Sequence, residues 1–358
     1  MPARRRLVLS ELAEKAHRVV QSPEPAGLVE VAPNLFWSRI PLPGKLNHIN
    51  VWLFRDDDGL TVVDSGMYNP AAEDAWRSVL AEFGGLPLKR VIATHLHIDH
   101  IGMAGWLMEQ GASEFWMTRQ EYLTCRLHAA QAEDESEVQA YCDFQRASGW
   151  PEQAIDGYGN NLRNRAASIY RFPKSYRRLE EGQELVLGGH RFRVVTGNGH
   201  SPEHACLYSE ESRLLISGDQ VLPGISSNIS VMHAEPEANP MADWLSSLQK
   251  LKREIPADVL VLPAHQQCFE GLHARIDELA DNQERALARL RQALKREPKR
   301  VVDLFEVLFG RDIGHDNLLI FSLATGETLA CLNYLMNLAE VERVTGPDGV
   351  WQYRSLKA

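Results

Sequence analysis

The sequence of 358 residues has little cysteine and no long apolar run, and both absences narrow its class. Its five cysteines are scattered and form no C-x-x-C pair, so neither a disulfide framework nor a cysteine zinc site is indicated. No stretch approaches the roughly 18 to 20 consecutive apolar residues of a membrane span. The basic start MPARRRLVLSELAEKAHRVV lacks the unbroken apolar core of a signal peptide. We therefore expect a helical leader over 1–28, no membrane association and a cytoplasmic protein.

The sequence also has no excess of basic over acidic residues. The net charge of −10 gives no electrostatic attraction to phosphate backbones, so nucleic acid is not the expected partner. Apolar residues make up 44% and charged residues 24%, which is the ordinary balance of a globular protein. The length exceeds that of an average domain, so we expect one large domain and a smaller one.

The apolar pattern predicts two similar runs of strands and helices. Strand, strand, helix and strand signals over residues 35–97 recur over about 183–265, which predicts two sheets packed face to face with helices outside. A polar, aromatic segment at about 118–178 predicts a helical insertion within a domain spanning 29–282. Over 283–358, helices precede two strands joined by Gly-Pro-Asp-Gly, the outline of a winged-helix module.

Potential metal ligands cluster in THLHIDH, residues 94–100, directly after an apolar strand. Alternation in an extended segment directs His95, His97 and Asp99 to one side, and the following turn points Asp99 and His100 at a second position. Imidazole and carboxylate together suit zinc, and also iron or manganese, better than calcium or magnesium.

This H-x-H-x-D-H motif resembles the signature of the metallo-β-lactamase superfamily, and the rest of the pattern follows in order over about residues 30–270. The further motifs are TVVDSG with Asp64, TGNGHSPEHACLY with His200, LLISGDQ with Asp219 and VLVLPAHQQ with His265. Two departures are Asn198 in the turn before His200 and Gln266 in place of the usual glycine. The resemblance implies an α/β fold, the αββα four-layer sandwich.

The resemblance also implies two metal ions per chain, most simply zinc. It assigns His95, His97 and His200 to the first ion and Asp99, His100 and His265 to the second, with Asp219 bridging them and Asp64 bracing the site. Two such ions lower the pKa of a shared water toward about 7 and polarise a carbonyl or phosphoryl oxygen. The implied reaction is hydrolysis by a bridging hydroxide.

Individual residues refine this expectation. Asp219 argues against antibiotic hydrolysis, because the first β-lactamase subclasses carry a cysteine at that position. We expect catalytic roles for Asp99 and for His204, the latter as an outer-sphere acid, and substrate contacts from His233 and Tyr68.

The segment around His233 and the C-terminal region resemble the branch described as glyoxalase-II-like or lactamase-like protein two, which does not fix a substrate. Our first hypothesis is that the substrate is a small-molecule ester or thioester and that the insertion forms a lid.

The alternatives are a nucleic-acid phosphodiesterase and a non-catalytic ligand sensor. The phosphodiesterase would bind nucleic acid through Lys295, Arg296, Lys299 and Arg300. Apolar residues in 283–358 predict packing on the hydrolase domain or on a second copy, as in a homodimer.

Overall fold

The computed structural model describes residues 21–131 and 134–356. Most of the helical leader expected over 1–28 lies outside these ranges. Residues 21–28 are described and are irregular, so the helix does not extend over them. Pro23 and Pro25 account for this correction, because proline lacks a backbone N–H and disfavours helical backbone in the residue before it.

The first sheet keeps its strands in chain order and joins antiparallel to parallel pairing. Its strands are β1 (Val29–Ala32), β2 (Leu35–Pro41), β3 (His48–Asp56), β4 (Gly59–Val63), β5 (Leu88–Ile92), β6 (Glu114–Thr118) and β7 (Arg177–Leu179). Pairing is antiparallel from β1 to β4 and parallel from β4 to β7. Parallel pairing places the ends of β4 and β5 at one edge, where Asp64 and the H-x-H-x-D-H loop follow.

The second sheet has the order β12-β11-β10-β9-β8. Its strands are β8 (Glu184–Leu187), β9 (His190–Gly197), β10 (His204–Ser209), β11 (Leu214–Gly218) and β12 (Leu260–Pro263). The expected hairpin joins β8 and β9 through Gly188 and Gly189, whose φ angles of 58° and 82° suit glycine. β11 and β12 are parallel, so the residues that follow them lie side by side.

Helices connect the strands and cover the outer faces of both sheets. They are α1 (Pro70–Ala81), α2 (Ile98–Ile101), α3 (Ala104–Glu109), α4 (Arg119–Gln131), α5 (Glu135–Ala147), α6 (Glu152–Asn164), α7 (Pro240–Glu254), α8 (Leu272–Leu294), α9 (Phe305–Phe309) and α10 (Leu318–Asn337). The Asn69 side chain caps α1 by accepting a hydrogen bond from Ala72 N, and Pro70 occupies the first turn, as expected. The helices α4 to α6 form the expected insertion.

Three hydrophobic clusters define the layers. The cluster between the sheets contains Trp37 and Trp52 of the first sheet and Phe192 and Leu207 of the second. A second cluster packs α1 and α3 on the outer face of the first sheet. The third packs α7, α8 and α10 against the outer face of the second sheet. This arrangement confirms the αββα sandwich.

The C-terminal region shares its core with the two-sheet sandwich. The change expected at residue 283 falls inside the continuous helix α8, and Leu304, Leu329 and Leu332 join the same cluster as Trp244. α9, α10 and a hairpin of β13 (Val341–Thr345) and β14 (Trp351–Ser355) complete the region. By length and composition α10 could cross a membrane, yet Leu329, Leu332 and Leu335 are fully buried in this core.

Candidate metal centre

The proposed ligands all follow strand ends at one edge of the sandwich. His95 and His97 lie in the loop after β5, and Asp99 and His100 lie in α2. His200 follows β9, Asp219 follows β11 and His265 follows β12. The fold therefore brings together all seven residues that the sequence assigned to metal.

The first group of ligand atoms consists of three imidazole nitrogens and one carboxylate oxygen. His95 Nε2 lies 2.9 Å from His97 Nδ1 and 3.2 Å from His200 Nε2. His200 Nε2 lies 3.5 Å from Asp219 Oδ2. Ligands bound at about 2.0 to 2.1 Å around a tetrahedral zinc ion stand roughly 3.4 Å apart, so these spacings fit one ion.

The second group contains Asp99, His100 and His265, and the other oxygen of Asp219 faces it. His265 Nε2 lies 3.3 Å from Asp99 Oδ2 and 3.6 Å from Asp219 Oδ1. His100 Nε2 lies 3.7 Å from each of these two oxygens. Asp219 thus directs Oδ2 to one group and Oδ1 to the other.

Two buried atoms test whether these residues fit a cation. Among the described residues, His100 Nε2 and Asp219 Oδ1 have no hydrogen-bond partner. Unpaired buried polar atoms are costly and uncommon in folded proteins. Both atoms face the second group, so its donor set fits a bound metal ion.

Hydrogen bonds on the far side of the rings orient the ligand histidines. His200 Nδ1 donates to Asn228 O at 2.7 Å, and His265 Nδ1 lies 3.2 Å from His48 O. Because a carbonyl oxygen only accepts, these bonds place the proton on Nδ1 and leave Nε2 for the metal. His100 Nδ1 lies 2.9 Å from Asp64 Oδ2.

Asp64 braces the H-x-H-x-D-H loop, as expected. Its Oδ1 accepts from Thr94 N at 2.8 Å, and Thr94 Oγ1 lies 3.1 Å from His95 Nδ1. The backbone of Asp64 has a φ of 63°, a region that is unfavourable for residues other than glycine. One carboxylate thus fixes the loop and His100 together.

Burial and charge set the protonation of the ligands. Burial lowers the pKa of His95 well below its usual value and that of His97 to about 3, so both imidazoles are neutral donors. Burial also opposes protonation of His100, but Asp64, Asp99 and Asp219 outweigh it and raise the His100 pKa. Three carboxylates thus surround His100, and their negative charge favours a cation in the second group.

His204 lies beneath the ligands and has no exposed surface. Its Nε2 accepts a hydrogen bond from Asp219 N at 3.1 Å, and its ring stacks on His95 with centroids 4.8 Å apart. Gly218 permits this contact, because a Cβ there would lie 2.4 Å from His204 Nε2. Burial lowers the pKa of His204. This position suits a residue that holds Asp219 rather than the outer-sphere acid expected from the sequence.

Glu121, which the sequence analysis missed, ties together two ligand loops. It lies in α4 and is fully buried. Its Oε2 accepts from Leu96 N at 2.9 Å, and its Oε1 accepts from Ser201 Oγ at 2.6 Å and Glu203 N at 2.7 Å. Leu96 lies between two ligands and Ser201 follows a third, so Glu121 anchors three ligands to the insertion.

A further link reaches the site from the C-terminal region. Asn228, whose carbonyl orients His200, donates from Nδ2 to Glu327 Oε2 at 2.9 Å. Val231 N donates to Gly326 O at 3.1 Å, so the loop after Asp219 is fixed to α10 by its backbone as well. Neither contact has a local sequence signal, because each joins segments far apart in the chain.

The two expected substrate contacts lie beside the insertion. His233 Nε2 lies 2.6 Å from Glu137 Oε1, and its ring packs on Tyr141 with centroids 3.6 Å apart. Tyr68 packs edge-on against Tyr170 with centroids 5.0 Å apart. Both residues join loops near the site to the insertion segment. Their contact with substrate stays a prediction.

Family comparisons match both parts of the chain. The family model described as metallo-beta-lactamase superfamily matches residues 44–265. The model described as metallo-beta-lactamase-like, C-terminal domain matches residues 287–356.

Known proteins resemble the chain over most of its length. The crystal structure of a beta-lactamase domain protein from Burkholderia ambifaria is 38% identical, with a TM-score of 0.85, covering 94% of this chain and 96% of that one. A probable metallo-hydrolase of Bacillus subtilis is 23% identical, covering 76% of this chain and 83% of the relative. The acyl-coenzyme A thioesterase MBLAC2 of Gallus gallus is 27% identical, covering 69% and 82% respectively.

Proposed function

This chain belongs to the metallo-beta-lactamase superfamily of hydrolases, and from that premise we propose that it hydrolyses a thioester or ester of a small molecule with two zinc ions. The observation that carries the proposal is the position of Asp219. Its two carboxylate oxygens face two separate ligand groups, each of which contains imidazole nitrogen. One carboxylate that serves two sites calls for two ions close together.

The chain's own residues hold and orient the reacting groups. When bound, paired divalent cations lower the pKa of water and polarise a carbonyl oxygen. His97 and Asp99 are the partly exposed members of the ligand set, so substrate approaches on their side. Asp64, Glu121 and Asn228 keep the ligands in place. Water is the nucleophile, so no serine or cysteine nucleophile is required.

Zinc is proposed because of the donor types. Five of the seven candidate ligand residues are histidines, which offer a ring nitrogen, and two are aspartates, which offer a carboxylate oxygen. Borderline nitrogen donors favour zinc over magnesium or calcium, although iron and manganese accept the same set. Elemental analysis of protein purified without chelator is the direct measurement.

The name of one relative and the pairing of surface charges support a small-molecule ester or thioester as the substrate. The Gallus gallus relative is named a thioesterase. In the basic cluster on which the phosphodiesterase alternative relies, Lys299 pairs with Glu297 and Arg300 pairs with Asp303. These pairs reduce the charge available to phosphates, which provide most non-specific nucleic-acid affinity. The proposal therefore excludes nucleic acid as a partner, and a homodimer stays a prediction.

The test is a substrate panel offered to metal-replete protein. Acyl thioesters, carboxylate esters, lactones, phosphodiesters and RNA are compared by kcat/KM, with Asp219→Ala as the matched inactive control. The proposal predicts turnover of a thioester or ester that is lost in the variant. Turnover confined to RNA or phosphodiesters would replace it with the phosphodiesterase alternative.

A further inference from the structure

An apolar cavity opens beside the candidate metal centre. Its volume is about 240 Å³. Most of its lining is apolar and comes from the metal-binding loop, α4, α5, α6 and the end of the insertion: Leu96, Ile98, Ile101, Cys125, Ala129, Val138, Tyr141, Leu162, Ile169 and Phe172. The insertion thus forms one wall and the ligand loop forms the other.

The cavity begins at the ligands themselves. Leu96 and Ile98, which line it, alternate with His95, His97 and Asp99 along the same loop. The bend after β5 and the start of α2 thus present the ligands to the metal groups, whereas Leu96 and Ile98 line the cavity. A substrate group in the cavity would therefore lie close enough to the metal centre for another part of the same molecule to react there.

The charged groups of the lining have partners already. Glu137 accepts from Gln131 Nε2 at 3.0 Å and contacts His233 Nε2 at 2.6 Å. Arg171, at the edge, donates to Glu109 Oε1 at 2.9 Å. With His128 and Gln131 these are the polar members of the lining, and the ten apolar members favour an apolar occupant.

The size of the cavity limits how much of a substrate it holds. Pockets for complete small ligands measure roughly 300 to 1,000 Å³, and this cavity is smaller. One alkyl chain fits this space, whereas the large polar thiol of a coenzyme thioester does not. The polar part therefore stays in the open cleft.

We propose that this cavity binds the alkyl chain of the acyl group, which makes the enzyme selective for medium-chain acyl thioesters or esters. This inference rests on the proposed function. Water adds its oxygen to the acyl carbon, the carbon–sulfur or carbon–oxygen bond breaks, and the released thiol or alcohol carries a proton. The carboxylic acid keeps its chain in the cavity, so a free fatty acid is both product and ligand.

The first experiment measures kcat/KM of the zinc-loaded protein for acetyl, butyryl, hexanoyl and octanoyl thioesters of one thiol. Burial of each methylene stabilises binding by about 0.8 kcal/mol, which is roughly fourfold per group. We expect kcat/KM to rise by about this factor for each methylene until the chain fills the cavity.

A matched pair of variants locates the effect. Ala129 lines the cavity, whereas its exposed neighbour Ala130 on α4 does not. Ala129→Phe is expected to lower kcat/KM for the octanoyl thioester at least tenfold. Its kcat/KM for the acetyl thioester should stay within twofold of the wild-type value. Ala130→Phe should leave both substrates unchanged. Because both positions are exposed, neither substitution overpacks the core.

A second readout separates the cavity from the reaction. Calorimetric titration with octanoate and acetate reports chain binding without turnover, and octanoate should bind at least tenfold more tightly, with the preference lost in Ala129→Phe. Thioester hydrolysis without any chain-length preference would overturn the cavity assignment and leave the proposed function standing. Octanoate binding without hydrolysis of any ester or thioester would overturn the proposed function alone. Preferred cleavage of octyl sulfate would assign the chain to the leaving alcohol and overturn the acyl assignment.

Discussion

The carbonyl oxygen of Asn228 accepts a hydrogen bond of 2.7 Å from Nδ1 of His200. The same residue donates from its side chain to Glu327 in α10. A ligand of the first metal group is thus oriented by a loop that the C-terminal region holds in place. Since partners of metal ligands fix ring orientation and basicity, we expect this region to contribute to metal affinity.

Replacement of Glu327 tests this link. Asn228 Nδ2 donates to Glu327 Oε2 and, at 3.3 Å, to Leu323 O. Glu327→Ala removes the shorter of these two hydrogen bonds, so we expect zinc affinity to fall by about tenfold. Glu327→Gln retains a carbonyl acceptor and should restore most of the affinity. Chelator competition measures both variants, and Glu306→Ala at an exposed position of α9 is the control. Unchanged affinity in Glu327→Ala would show that the loop is held without this contact.

Glu121 anchors the ligand loops, and its isosteric replacement should loosen them. Glu121→Gln places an NH₂ group opposite donors, because its partners are Leu96 N, Ser201 Oγ and Glu203 N. We expect the free energy of unfolding to fall by about 1 to 3 kcal/mol. Denaturant titration measures this loss. Glu152→Gln, which breaks the exposed pair with Arg146, serves as control and should leave the free energy of unfolding nearly unchanged.

Glu121 also predicts how stability depends on pH. Burial raises its pKa from 4.5 to about 7, against the opposing hydrogen bonds. The folded protein then binds this proton more tightly than the unfolded chain does. The stabilisation that comes from this bound proton is fully present below about pH 4.5 and is lost as the pH rises through about 7.

The difference between the wild type and Glu121→Gln isolates this term from other titrating groups. In metal-free protein, the wild type should lose about 3 kcal/mol relative to the variant between pH 4.5 and pH 8. Unfolding titrations at several pH values measure the difference. A difference that stays constant over this range would mean that Glu121 titrates near its ordinary value.

His204 is expected to act through Asp219. In His204→Ala the Asp219 N–H loses its acceptor, so we expect weaker metal binding and a smaller loss of kcat than in Asp219→Ala. The pH profile of kcat separates two roles. If His204 only positions Asp219, the midpoints of the pH profile should be unchanged in the metal-bound fraction of His204→Ala. Loss of the basic or acidic limb of that profile would instead show that His204 acts as a catalytic acid.

The candidate ligand cluster could be predicted from the sequence because local order reveals its members. His95, His97, Asp99 and His100 are nearly contiguous, and Asp219 and His265 each end an apolar run that predicts a strand. The layered fold follows from the same strand and helix periodicity. These features depend on neighbouring residues, which a single sequence displays.

The supporting contacts could not be predicted because they depend on tertiary packing. Glu121 reaches Leu96 across 25 positions, and Asn228 reaches Glu327 across 99. A glutamate in the first turn of a helix is ordinary, so its burial had no signal. The boundary at 283 stays a prediction; it follows from a change in composition and lies inside α8, which begins at Leu272.

The number of bound metal ions tests whether Asp219 bridges two of them. Wild-type protein should bind two zinc ions per chain, because each ligand group has its own imidazoles and an oxygen of Asp219. Asp219→Ala removes an oxygen from both groups, so both ions should bind at least tenfold more weakly. His97→Ala removes a nitrogen from the first group alone, so only one ion should be lost.

Hydrolysis should be abolished in both variants, with the fold retained, because neither side chain belongs to the hydrophobic core. Elemental analysis counts the ions, and circular dichroism with thermal unfolding checks the fold. The exposed residue Asp58, far from the ligand groups in sequence, provides the control Asp58→Ala, which should retain two ions and normal turnover. Loss of a single ion from Asp219→Ala would refute the bridging role, because an oxygen that serves one group leaves the other group intact.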